Sequence, residues 1–145
     1  MSRTKAEFRA VRETVGMTQH ALAQELGVEV RSVKRWEHPD APQVPPQDAW
    51  DVLDAALAAQ RQVVAYALGK VDEVAQGRGD WPHAVTLPYW TSQEAYDAGH
   101  VPADGGDWRM ANANSRLVAF ALFERGIPVE WVTGSPARTG GRPLP

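Results

Sequence analysis

The stretch Met17-Thr18-Gln19-His20-Ala21-Leu22-Ala23-Gln24-Glu25-Leu26-Gly27-Val28-Glu29-Val30-Arg31-Ser32-Val33-Lys34-Arg35-Trp36-Glu37 decides how the rest of the chain reads. Two short helical patterns flank a glycine. Thr18 is placed to cap the first, whose apolar stripe is Leu22, Ala23 and Leu26. Gly27 ends it. The second runs from about Glu29 to Glu37 and turns Val33 and Trp36 inward. Arg31, Lys34 and Arg35 then share the opposite face, because residues three and four apart are neighbours on a helix.

A short basic helix held across a tight turn by a small apolar core is the geometry of a helix-turn-helix, whose second helix fits the major groove of DNA. The set Gly16-Met17-Thr18-Gln19, Leu22-Ala23, Leu26-Gly27-Val28 and Val33-Lys34-Arg35-Trp36-Glu37 resembles the phage-repressor class of helix-turn-helix proteins, which includes the lambda and 434 repressors and Cro. The resemblance covers roughly the first third of the chain. It implies a mainly α protein whose N-terminal domain has four to five helices and binds double-stranded DNA. It also implies an ion pair between Arg12 and Glu37 that locks the first helix to the third.

The contact candidates are Thr18, Gln19, Glu29, Val30, Arg31, Ser32, Lys34 and Arg35. Gln19, at the first turn of its helix, can bond a phosphate oxygen. Arg31 can grip a guanine edge with two donors, and Val30 can meet a thymine methyl. Lys34 and Arg35 suit bases or phosphates, and Ser32 suits phosphate. Two positions depart from the class. Glu29 stands where Ser or Thr is the better cap; it can accept from a cytosine amino group or repel phosphate. His38-Pro39 follows Glu37 where a glycine is usual, and Pro39 stops the helix by its restriction on His38.

Upstream, Thr4-Lys5-Ala6-Glu7 is a capping box that opens a helix to about Val15, with Phe8, Val11 and Val15 inward and Gly16 as its stop. Downstream, Asp40 to Pro46 is a proline-rich connection. From Pro46 to about Gln76 the pattern runs unbroken. Trp50, Leu53, Leu57, Gln60, Val64, Ala67, Val71 and Val74 recur at steps of three and four, a seam with one polar position. One long connecting helix is expected, with two helices bent near Gly69 as the alternative. The organisation expected is therefore residues 1–76 as the helix-turn-helix domain with its long fourth helix, 81–132 as a small α+β dimerisation domain, and 133–145 as a Gly-, Pro- and Arg-rich tail.

In the second domain, Ala84 to Leu87 and Pro128 to Val132 read as strands. Helices between them make the strands parallel. Ser92 and Asp107 are placed to cap those helices, and Pro102 to Gly106 is a turn. Leu117 to Phe123 is apolar all round, so its helix must be covered on every side. Leu117, Phe120 and Phe123 are therefore dimer-interface candidates, against the alternative that they fill this domain's own core. The layout with Val44-Pro45, Asp104-Gly105 and Asp107-Trp108-Arg109 resembles small bacterial and phage regulators that include anti-CRISPR-associated autorepressors. That resemblance implies a homodimer formed through the C-terminal domain.

Charge supports a basic head on an acidic body. Residues 1–38 carry seven Lys/Arg against five Asp/Glu, whereas the rest of the 145 carry eight against thirteen. There is no cysteine, so disulfides and thiolate chemistry are out and a cytoplasmic setting is expected. No apolar run reaches the length of a membrane span. No phosphate-cradling glycine loop or His-Glu-x-x-His motif is present, and His83, His100, Asp104 and Asp107 match no ligand spacing. No enzyme, cofactor or metal is expected. The expected partners are a palindromic DNA operator and a second copy of the chain, with a toxin or RNA as further options. Three functions follow: a dimeric repressor, the antitoxin of a toxin–antitoxin pair with the same head, or a second domain that senses a ligand through Trp81, Tyr89 and Trp90.

Overall fold

Over residues 2–99 and 107–134, which the computed structural model describes, the chain is mainly helical with one two-stranded sheet. Its contacts group into two compact units, residues 1–59 and 60–145. The first contains α1 (Lys5–Val15), α2 (Gln19–Leu26), α3 (Val30–Glu37) and the opening of α4 (Gln47–Arg78). The second contains the remainder of α4, then β1 (Val85–Pro88), α5 (Gln93–Gly99), α6 (Trp108–Glu124) and β2 (Val129–Val132).

Local chemistry sets the boundaries in the first unit. The Thr4 hydroxyl accepts from the Glu7 amide at 3.1 Å, which closes half of the capping box. The Glu7 carboxylate turns instead toward Arg3, 3.5 Å from its Nε, since a guanidinium attracts it more than a neutral amide does. Thr18 caps α2 by accepting from the Ala21 amide at 3.0 Å. Gly16 and Gly27 sit at φ of +81° and +69°, where an L side chain would be strained, and their amides return to the preceding turns. At the end of α3, His38 takes φ −76° and ψ 122°, the extended conformation that a following proline favours.

The core of this unit is built on Phe8. Trp36 and Trp50 meet its ring edge to face, with centroids 6.3 and 5.0 Å away. Val15, Leu22, Val33 and Leu53 close around them, and all four are fully buried. The apolar faces of α1, α2, α3 and α4 thus converge on one aromatic centre, and burying such rings is the largest apolar contribution available to a domain this small.

α4 is one helix of 32 residues, about 48 Å at 1.5 Å per residue. Gly69 lies within it, since a single glycine costs about 1 kcal/mol against alanine but does not compel a break. Trp50, Leu53, Gln60 and Val71 of the seam are buried. The helix ends at Arg78, and Gly79 follows at φ +73°.

In the second unit β1 and β2 pair in parallel, with Val85 opposite Val129 and Leu87 opposite Trp131. β1 is the buried strand and β2 the exposed one. Val71, Val85, Leu87, Val118, Leu122 and Ile127 form the core between α4, α6 and the sheet. Asp107 caps α6 by accepting from the Met110 amide at 2.8 Å, and Gly126 at φ +74° follows its end. Asn112 clamps the backbone of Trp90 from both sides: its Oδ1 accepts from the Trp90 amide at 2.7 Å and its Nδ2 donates to the Trp90 carbonyl at 2.9 Å. This buried pair gives the segment after β1 the hydrogen bonds that a third strand would otherwise supply. The Pro102–Gly106 turn, with His100, Asp104 and Gly105, lies outside the described residues, as do positions 135–145 of the tail.

Candidate nucleic-acid interface

α3 is held by its inner face and by both neighbours. Val33 and Trp36 sink into the core, which points Arg31, Lys34 and Arg35 outward, all exposed. Ser32 and Val30 are half-buried, and Val30 packs on the edge of the core, leaving only part of its side chain outside.

Beneath this helix lies a charged lock. The Arg12 guanidinium grips Glu37 with Nε to Oε2 at 2.6 Å and Nη2 to Oε1 at 2.9 Å. The side chains are 9% and 4% exposed, so the pair is shielded from water. Arg12 also donates through Nη1 to the Met17 carbonyl at 2.9 Å, which ties in the α1–α2 turn. Gln19 donates from Nε2 to Oε1 of Glu37 at 3.1 Å. One carboxylate therefore collects donors from α1 and α2 and fixes the end of α3 to both. A fork of two parallel N–H···O bonds is stiffer than a point contact, because it sets orientation as well as distance.

The two residues proposed for the start of α2 thus have partners inside the fold. Thr18 is a cap, and the Gln19 amide nitrogen faces Glu37 and not outward. The second Nε2 hydrogen of Gln19 and the first amides of α2 remain as donors for an external anion on that side.

At the other end of the face, Glu29 is the residue before α3, yet its side chain makes no capping bond. Its carboxylate stands 3.0 Å from Nε of Arg31. Beside this pair is an open concavity of about 440 Å³, between His20, Ala23 and Gln24 of α2 and Val28, Glu29, Val30 and Arg31. Apolar groups on its floor suit contact with a methyl-bearing base edge.

Lys5 makes contacts that its local sequence does not announce. Its ammonium donates to the carbonyls of Arg35 (2.9 Å), His38 (2.8 Å) and Ala41 (2.7 Å). It joins the last turn of α3, through the Arg35 carbonyl, to the residues that follow the helix, and it places a cation at the negative end of the dipole. Thirty or more residues separate these partners, so no local pattern announces the contact. Arg3 and Asp54 form a second unannounced fork, at 2.8 and 2.9 Å, with the Arg3 guanidinium 3.6 Å above the Trp50 ring. The hydrogen bond from Arg3 is the main reason that the Asp54 carboxyl lies below its ordinary value.

Compared with known proteins, the chain matches no family model, and no curated protein is significantly similar to it. The site must therefore be judged on its own geometry.

The second unit presents a different kind of surface. Phe120 and Phe123 are 65% and 79% exposed and Leu117 is 38% exposed, so the alternative that they fill their own core fails. α6 buries Val118 and Leu122 on its inner side, and a helix apolar all round must then leave its other apolar residues outside. Arg116 donates to the Tyr89 hydroxyl at 2.7 Å, and Tyr89 meets exposed Trp131 edge to face at 5.5 Å. The surface of α6 therefore continues onto the β2 edge. Trp81, Tyr89 and Trp90 do not gather into one pocket. Trp90 is buried against Tyr96, Trp81 lies under Arg125, and Tyr89 belongs to the surface just described. Among the described residues no group of three or more His, Cys, Asp or Glu is arranged to hold a metal ion, and Asp107 serves as a cap. No helix among them is long and apolar enough to cross a membrane.

Proposed function

We propose that the chain is a sequence-specific DNA-binding transcriptional regulator: a cytoplasmic homodimeric repressor, in the manner of the phage-repressor class, that reads an inverted repeat through the major groove. One observation carries the reading. Three cations, Arg31, Lys34 and Arg35, stand exposed on the outer face of a short helix whose inner face and C-terminal end are pinned by Phe8–Trp36 packing, the Arg12–Glu37 fork and the Lys5 cap. Rigid presentation matters because a base-edge contact needs correct placement as well as charge, whereas phosphate attraction needs charge alone.

In this reading Arg31 meets a guanine, and Lys34 and Arg35 meet phosphates or further bases. Gln19 supports the helix through Glu37 and has its side-chain oxygen left for a water or a neighbouring group. Phe120 and Phe123 bury themselves against a second copy, which supplies the two-fold symmetry that an inverted repeat requires. Among the described residues, no helix of the second unit carries three exposed cations close together, which favours a division into reading and pairing parts.

Selection of bound duplexes from a random DNA library tests the proposal. Two inverted half-sites about 10 base pairs apart, or a multiple of that, are expected to be enriched. Arg31→Ala is expected to cost about 1–3 kcal/mol and to relax one position per half-site. Salt-sensitive binding without any enriched sequence would overturn the reading.

A further inference from the structure

We infer that Glu29 and Arg31 act as one reading unit for a cytosine and a guanine on neighbouring base pairs, with Glu29 as the residue that demands the cytosine. The inference rests on the DNA-binding reading above and assigns a role to the one carboxylate on its contact face.

An acidic side chain at this place is a liability for a DNA binder unless it is used, because phosphate repels it. Here it neither caps α3 nor turns away. Glu29 lies 3.0 Å from Nε of Arg31, while both side chains stay 70% or more exposed. The pair is an exposed ion pair, which contributes little to stability. Its effect is on presentation. With the carboxylate against Nε, the terminal nitrogens of Arg31 have no hydrogen-bond partner among the described residues. Those two donors match the O6 and N7 acceptors of guanine. The second carboxylate oxygen supplies an acceptor beside them.

In the major groove only cytosine N4 and adenine N6 carry donor hydrogens. Adenine places its N7 lone pairs next to that amino group, and these repel a carboxylate. Cytosine places a C–H there instead. The unit of two donors and one acceptor thus fits guanine with a neighbouring cytosine and disfavours adenine. The adjoining concavity has Ala23, Val28 and Val30 in its lining, apolar groups against which the C–H edge of that cytosine can pack, with His20 and Gln24 of α2 beside them.

The test compares parent, Glu29→Ala and Arg31→Ala in selection from one random library, followed by affinity measurements on single-base variants of the enriched site. The parent is expected to enrich a cytosine adjacent to a guanine in each half-site. Replacing that cytosine is expected to weaken the parent about tenfold, but Glu29→Ala less than twofold. Arg31→Ala is expected to lose discrimination at the guanine. Glu29 makes no capping bond, so its removal leaves α3 intact, and circular dichroism checks this. If Glu29→Ala keeps the parent's preference and binds every sequence more tightly, the carboxylate merely repels phosphate and the inference is overturned. A parent that enriches no sequence would instead overturn the DNA-binding reading itself.

Discussion

The two units spend their side chains in opposite ways. In residues 1–59 long-range polar contacts tie distant parts of the unit together: Arg3 to Asp54, Lys5 to three carbonyls, Arg12 to Glu37. Cations on the outer face of α3 stand as the exception. Among the described residues of the second unit the chief buried polar contact is that of Asn112 on the Trp90 backbone, and large apolar groups stay outside. Phe120 and Phe123 expose more of themselves than any buried aromatic in the first unit exposes of its ring. A unit whose charges are consumed internally is built to hold one shape. A unit that leaves aromatics exposed is built to be covered. The contrast locates rigidity in the first unit and incompleteness in the second.

The strongest way to break this contrast is to unlock the first unit. Arg12→Ala leaves Glu37 buried and without its fork, and is expected to cost about 3–5 kcal/mol in urea unfolding. Replacing both partners with methionine should cost much less, because no charge is then stranded. If Arg12→Ala unfolded like the parent, the lock would be ornamental and the rigidity argument would fall.

Next in size is the second unit. Phe120→Asp is expected to convert a dimer into a monomer by light scattering, while far-ultraviolet circular dichroism stays that of the parent, since this ring supports no internal core. Loss of a pairing surface should also cost operator affinity by well over tenfold, because the two heads would bind independently. A parent that is itself monomeric at all accessible concentrations would remove the pairing role from α6.

The smallest expected effect sharpens the contrast through pH. The Asp54 carboxyl is held low chiefly by its hydrogen bond from Arg3. A depressed folded value means that this contact stabilises fully above the carboxyl's ordinary unfolded value, about 3.9, and that the benefit disappears as pH falls through the folded value. Glu13, held low by its bond to Arg9, adds in the same direction. Asp54→Asn should therefore flatten the acid side of the stability profile, measured by thermal unfolding between about pH 2 and 6, with little change near neutrality because the pair is largely exposed.

Much of this architecture was legible beforehand, for identifiable reasons. Thr4, Gly16, Thr18, Gly27 and Asp107 act within four residues of themselves, so their effects are written in local spacing. The seam from Trp50 to Val74 announced a helix by its period, and parallel strands followed from the helices between them. What escaped notice was non-local or ambiguous in period. Lys5 looks like any solvated lysine until the end of α3 is brought to it. Gln19 reads as a phosphate contact alone, and its bond to Glu37 emerges only when the end of α3 is brought beside it. Leu117 to Phe123 is apolar at every step, so periodicity could not say which residues would face in. Val118 and Leu122 did, with Ala119 partly so, because they lie on the side that meets Val71 and Leu87.

Lys5 gives the end of α3 its own tethered counter-ion. An ammonium has three protons pointing to the corners of a pyramid, and three carbonyls stand at those corners, at 2.7–2.9 Å. Such a nest has the stoichiometry of a small inorganic cation site, filled by a side chain that cannot diffuse away. A guanidinium is flat and would reach at most two of the three oxygens. At this position lysine and arginine, equal in charge, are therefore different ions.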